Sequence, residues 1–191
     1  METVEELVSR AQEKYDNEDY EGALTDLNKA IAIDPGSDIS LNMRGEVRVA
    51  MDDHDGAIED FTAAIKLDPQ NYLPYFNRGE AIFMTGLAEE AIPDLNKTIG
   101  LNPEFELAWF IRGLVKDSLE NFKGAVADLT RAISLDPEFA AAYFHRGYAR
   151  FMLKDFKNAL ADIEMALKLE PDYEEALLAK EEILEILKPD S

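Results

Sequence analysis

The sequence contains no cysteine. Disulfide frameworks, zinc–thiolate sites, iron–sulfur clusters and thiol nucleophiles are thereby excluded. Basic residues are scarce as well: 19 Lys plus Arg stand against 40 Asp plus Glu, a net charge of −21 over 191 residues. Such a chain repels phosphate backbones and anionic leaflets, whose binding needs local Lys/Arg clusters. Neither nucleic acid nor a membrane surface is therefore an expected partner. No stretch approaches the roughly 18 apolar residues of a membrane span, and the opening METVEELVSR lacks the basic head and apolar run of a signal peptide. The expected location is cytoplasmic. The two histidines, His54 and His145, have no second histidine nearby and form no recognisable metal spacing. The phosphate-binding patterns GxGxxG and GxxxxGK and the nucleophile pattern GxSxG are missing too. The acidic run Asp52-Asp53-His54-Asp55 lacks the alternating ligands and glycine of a calcium loop. No catalytic residue, metal or cofactor is expected, and the chain reads as a non-enzyme.

What the chain does have is a period. Pro35, Pro69, Pro103, Pro137 and Pro171 follow one another at steps of 34 residues. Each is a helix stop, since proline lacks an amide donor and biases the preceding residue away from helix. Gly45, Gly79, Gly113 and Gly147 keep the same step, with Ala11 in the first copy, and so do Ala23, Ala57, Ala91, Ala125 and Ala159. A further alanine series, Ala30, Ala64, Ala132 and Ala166, departs at Thr98. The repeats span 4–37, 38–71, 72–105, 106–139 and 140–173, leaving a short leader and a tail and no room for another domain. Within each, apolar residues recur at helical spacing twice, interrupted by turn-prone residues such as Asn17, Asp52-Asp53, Gly86 and Asn121. Each repeat is therefore expected to be a helical hairpin, helix A then helix B. The third looks the least helical, because Pro93 and Gly100 fall in its helix B; a place for Pro93 in the first turn would limit the cost.

Trp109, Gly113, Ala125, Leu129, Ala132 and Pro137 match the small-and-large skeleton of the tetratricopeptide repeat, and the chain resembles that family over positions 4–173. The resemblance implies an all-α fold, a right-handed superhelical solenoid of antiparallel helix pairs forming one domain over 1–191. It also implies A helices lining a concave groove and a scaffold or adaptor function. Leu177, Leu178, Ile183, Leu184 and Leu187 among Glu and Lys read as a capping helix over about 174–187, which an open solenoid end needs for solubility. Thr3 and Glu6 form a capping-box pattern for the first helix.

Position 7 of every repeat is arginine (Arg10, Arg44, Arg78, Arg112, Arg146) and position 23 is aspartate (Asp26, Asp60, Asp94, Asp128, Asp162). The constant separation suits an ion pair across each hairpin, which would fix its register. An arginine ladder gripping an anionic ligand would need the aspartates to face elsewhere, and their matched recurrence argues against that.

The family resemblance assigns the groove to positions 2, 5, 6, 9, 12 and 13 of each repeat. The residues there that are expected to meet a partner are Val49, Phe76, Asn77, Glu80, Phe83, Phe110, Ile111, Leu114, Phe144, His145, Tyr148 and Phe151. Phe76, Phe110 and Phe144 admit a second reading, as seals between repeats. Family members that bind acidic chaperone tails use a clamp of Lys, Asn and Arg on these positions, and no Lys or Arg stands on any of them here. Charge runs from −6 in the first repeat to 0 in the fifth. The expected ligand is therefore a protein segment or amphipathic helix with apolar anchors for repeats three to five and basic residues toward repeats one and two. The alternative is self-assembly, a second copy of the chain filling the groove.

Overall fold

A computed structural model describes residues 2–188. Eleven α-helices are found among them: α1 Val4–Asp16, α2 Tyr20–Ile33, α3 Asp38–Ala50, α4 His54–Leu67, α5 Leu73–Met84, α6 Ala88–Leu101, α7 Glu106–Ser118, α8 Phe122–Leu135, α9 Ala140–Met152, α10 Phe156–Leu169 and α11 Glu174–Ile186. The odd-numbered helices from α1 to α9 are the A helices and the even-numbered ones the B helices of five hairpins. The chain divides into two compact units, Met1–Asn102 and Pro103–Ser191. The first holds three hairpins; the second holds two and α11.

Local chemistry sets the helix ends. Thr3 accepts from the Glu6 amide while Glu6 accepts from the Thr3 amide, so the capping box at α1 is closed in both directions. Each B helix ends on a residue that precedes a periodic proline. Asp34, Asp68, Asp136 and Glu170 take extended dihedrals there, as the proline ring requires. Between A and B helices the chain turns at one left-handed residue per hairpin: Glu18, Asp52, Gly86, Glu120 and Lys154. Pro93 is the sixth residue of α6, not a first-turn residue. At that depth it removes an intrahelical hydrogen bond and leaves the Glu89 carbonyl without its usual donor.

The core follows from one recurring contact. Leu27, Phe61, Leu95, Leu129 and Ile163 on the B helices are all fully buried. Facing them on the A helices are the smallest residues of the repeat. A Cβ built on Gly45 would lie 2.4 Å from the Phe61 ring, and one on Gly113 would lie 2.8 Å from Leu129. At Gly45, Gly113 and Gly147 the crossing is too close for a methyl group without a shift of the facing side chain. Each large residue so buried contributes about 1.5–3 kcal/mol. In unit 1 this core continues through Ala23, Leu27, Met43 and Val47, and in unit 2 through Ala125, Leu129, Ala132, Ala159 and Ile163.

Candidate functional site

The repeated arginines and aspartates meet in every hairpin. Nε and Nη2 of each arginine donate to the two oxygens of one carboxylate: Arg10 to Asp26 at 2.7 and 2.7 Å, Arg44 to Asp60 at 2.8 and 2.6 Å, and Arg78 to Asp94 at 2.7 and 2.8 Å. Arg112 does the same to Asp128 at 2.8 and 2.8 Å, and Arg146 to Asp162 at 2.9 and 2.6 Å. The parallel two-bond geometry is the strong form of this interaction. Hydrogen bonds from Arg10 hold the Asp26 carboxyl well below the usual carboxylate range, and Asp26 in turn raises Arg10.

Two further bonds were not read from the sequence. A second cation, four residues after the arginine, reaches the same carboxylate in four hairpins: Lys14 at 2.7 Å, Arg48 at 2.8 Å, Lys116 at 2.6 Å and Arg150 at 2.6 Å. In the third hairpin that position is Ile82, and Asp94 has the most exposed side chain of the five. Nη1 of the arginine reaches back to the preceding B helix: Arg44 to Asn28, Arg78 to Thr62 and Arg146 to Thr130. These guanidinium groups are engaged within the fold, so they are not a ladder open to an anion.

In unit 1 the A helices gather polar groups around Glu46. Glu46 accepts from Asn42 at 2.8 Å and from Asn77 at 2.7 Å. Together with Tyr15, Val49, Phe61, Glu80 and Ala81, Glu46 and Asn77 line a cavity of about 220 Å³. Burial raises both carboxyls; for Glu46 the two amide hydrogen bonds work against that rise, whereas for Glu80 nothing does. Phe76 is 7% exposed and belongs to the core, so as a partner contact it has little surface to offer. Phe83 is half-buried and Met84, one residue on, is exposed. A larger cleft, about 1170 Å³, lies at the start of the unit between α1, the end of α2 and the start of α3. Its apolar lining includes Val4, Val8, Ile33 and Ile39. It went unread because it joins short aliphatic side chains of three helices, one of them a B helix.

Unit 2 is aromatic instead. His145 lies 5.1 Å from Phe144 and 5.7 Å from Phe110 between ring centroids; Phe110 packs on Phe139 at 4.5 Å, and Phe144 on Tyr173 at 4.9 Å. Burial pushes the His145 imidazole down, with Glu175 opposing. Phe110, Ile111, Leu114, Phe144, His145 and Phe151 are half-buried. Tyr148 stands clear at 42% exposure, as does Met152 one turn on. Phe151 is tied to Phe156 at 5.5 Å. His54 is the first residue of α4; its Nε2 lies 3.1 Å from Asp52. Among the described residues no group of three or more His, Cys, Asp or Glu could hold a metal. No helix among them is long and apolar enough to cross a membrane.

Family profiles described as tetratricopeptide repeat match residues 140–173 and 107–139, and one described as TPR repeat matches 45–86, together more than half of the chain. The chain belongs to the tetratricopeptide repeat family, an all-α solenoid fold of protein-interaction scaffolds. Among solved structures it is similar to MamA at 26% identity, with a TM-score of 0.76 over 90% of this chain and 94% of that one. YrrB, described as a TPR protein with an unusual peptide-binding site, is similar at 22% identity, TM-score 0.76, over 92% and 91%. A thermophilic TPR protein of Thermus thermophilus is similar at 19% identity, TM-score 0.74, over 95% and 99%. No curated protein matches the chain.

Proposed function

We propose that the chain is an adaptor whose A-helix faces grip apolar side chains of a partner peptide or amphipathic helix. The observation that carries this reading is where the exposed large apolar residues of the A helices fall. Ile39, Leu73, Met84, Leu107, Tyr148 and Met152 are all at least 37% exposed, and all sit at repeat positions 2, 9 or 13. A soluble solenoid gains nothing in folding from keeping apolar side chains in water at the same few positions, whereas a partner that covers them would bind by their burial. In unit 2 Tyr148 lines a small cavity with Phe151, Ile163 and Ile183, and such packed surroundings lower the entropy lost on binding. The acidic face of unit 1 favours basic residues in the ligand, which would speed encounter and lose effect with salt.

The test compares proteins retained from a lysate by the wild-type chain and by the Tyr148→Glu, Met152→Glu double variant. Both side chains are exposed, so an unchanged melting temperature is expected. Partners lost with the variant support the reading; partners retained equally remove this face from it. A second reading, self-assembly, draws on α11, where Leu177, Leu178, Leu184 and Ile186 are 42–68% exposed. Mass that rises with concentration in light scattering would favour it.

A further inference from the structure

We propose that the cleft at the start of unit 1, which shares Ile39 with the A-helix face, takes the apolar face of a cationic amphipathic helix from a partner protein. Its lining is a helix-packing surface left without a helix. Val4 and Val8, one turn apart on α1, form a ridge of the kind that interlocks with a neighbouring helix. Opposite them Ile33 and Ile39 are 56% and 62% exposed, the largest values for any isoleucine among the described residues. The volume, about 1170 Å³, exceeds what one side chain fills and suits two turns of apolar positions at i, i+3, i+4 and i+7.

Charge decides the occupant. Glu2, Glu5 and Asp34 line the cleft; Glu2 is paired to Arg10 at 2.6 Å, and the one cation among the described lining residues, Lys29, lies 3.5 Å from the buried Asp26 carboxylate. Beyond the Arg10–Glu2 pair, the rest of the unit has little to neutralise the cleft. Residues 1–102 contain 8 Lys plus Arg against 22 Asp plus Glu, and six of the eight, Arg10, Lys14, Lys29, Arg44, Arg48 and Arg78, are ion-paired to Asp26, Asp60 or Asp94. The field around the cleft is thus anionic, and a helix bearing lysine or arginine beside its apolar stripe is the complementary ligand. The exposed leucines of α11 in a second copy are the wrong match: Glu174, Glu175, Glu181, Glu182 and Glu185 surround them, and Lys180 is bound to Glu164. The proposal rests on the protein-binding reading of the chain but not on the aromatic face of unit 2.

The experiment uses the full chain and two synthetic helical peptides with one leucine stripe, flanked by lysines in one and by glutamates in the other, titrated by fluorescence anisotropy. The lysine peptide is expected to bind and the glutamate peptide not to. Ile39→Glu should weaken the lysine peptide about tenfold or more, Glu5→Lys should weaken it less, and 0.5 M salt should weaken it about tenfold. Tyr148→Glu with Met152→Glu should weaken it less than Ile39→Glu does. The proposal is overturned if both peptides bind alike, if the lysine peptide does not bind, or if Ile39→Glu has no effect while the chain melts normally. Loss of binding in the Tyr148, Met152 variant alone would assign the peptide to unit 2, upholding the adaptor reading and overturning this one. Concentration-dependent mass abolished by Ile39→Glu would make the occupant a second copy, and would overturn it as well.

Discussion

The third hairpin and the other four are built on one skeleton and reinforced differently. All five share the two-bond arginine–aspartate pair and the large residue set over a small one. The third alone has Ile82 where the others place a second cation on the carboxylate, and it alone has proline inside helix B. Leu87 leaves α6, like α10, without the side-chain cap that Asp19, Asp53 and Asn121 provide to α2, α4 and α8. Its crossing is also looser: a Cβ on Gly79 would meet Leu95 at 3.2 Å, against 2.4–2.9 Å at Gly45, Gly113 and Gly147. The difference separates what makes a hairpin from what stiffens one. Skeleton alone suffices for the fold, and the second cation, the cap and the tight crossing add stability on top.

The largest expected effect tests the second cation. Asp128→Ala takes the carboxylate from both Arg112 and Lys116 and should cost about 3–5 kcal/mol, whereas Asp94→Ala takes it from Arg78 alone and should cost less. Chemical denaturation of the two variants measures the gap, and equal losses would deny the second cation any part. Next comes the crossing: Gly45→Ala should destabilise by ~1–3 kcal/mol through overpacking on Phe61. Gly79→Ala should be near neutral, since the looser site trades slight crowding for better helix propensity. Pro93→Ala restores a hydrogen bond inside α6 and should stabilise by ~1–3 kcal/mol. It should also slow amide exchange over 89–100, which in the wild type is expected to be faster than in the other B helices. A smaller gain, about 1 kcal/mol, is expected from Ile82→Lys, which supplies Asp94 with the missing cation.

The smallest effect is a pH dependence of the same hairpin. Burial raises Glu80 above its ordinary 4.5, and the neighbouring carboxylate Glu46 is raised as well. A carboxyl with a raised folded value holds its proton more tightly in the native state. Its favourable contribution is therefore full at low pH and is lost as pH rises through the folded value. Glu80→Gln should accordingly raise the melting temperature at pH 7, by less than about 1 kcal/mol in stability. The advantage should fade toward pH 4; an advantage equal at both pH values would mean that the carboxyl does not titrate in this window.

The helical hairpins were legible because their punctuation is chemical. Pro35 and its successors can only stop a helix, and Gly113 or Ala125 recur where backbones crowd. The arginine–aspartate pairs were legible because both residue types are invariant across the five copies. The second cation was not, since it alternates between Lys and Arg and lapses to Ile82, so no single residue type marks it. Position numbers sufficed to collect the A-helix face but not to grade its burial. Phe76 and Tyr148 both occupy it, yet one is 7% and the other 42% exposed. The unit 1 cleft was illegible for a related reason: Ile33 lies on a B helix, outside the six groove positions of the repeat.

The third nitrogen of the arginines has a consequence for cutting and splicing the array. Arg44, Arg78 and Arg146 each hold their own hairpin with two nitrogens and the previous one with the third. A repeat excised at its proline is therefore an incomplete cassette. Transplanted behind a new neighbour, it needs an oxygen acceptor sixteen residues upstream of its arginine, as Asn28, Thr62 and Thr130 supply here. Shuffled chimaeras should follow a nearest-neighbour grammar: junctions that keep this acceptor will assemble, and junctions that place an aliphatic side chain there will leave a guanidinium nitrogen unspoken for.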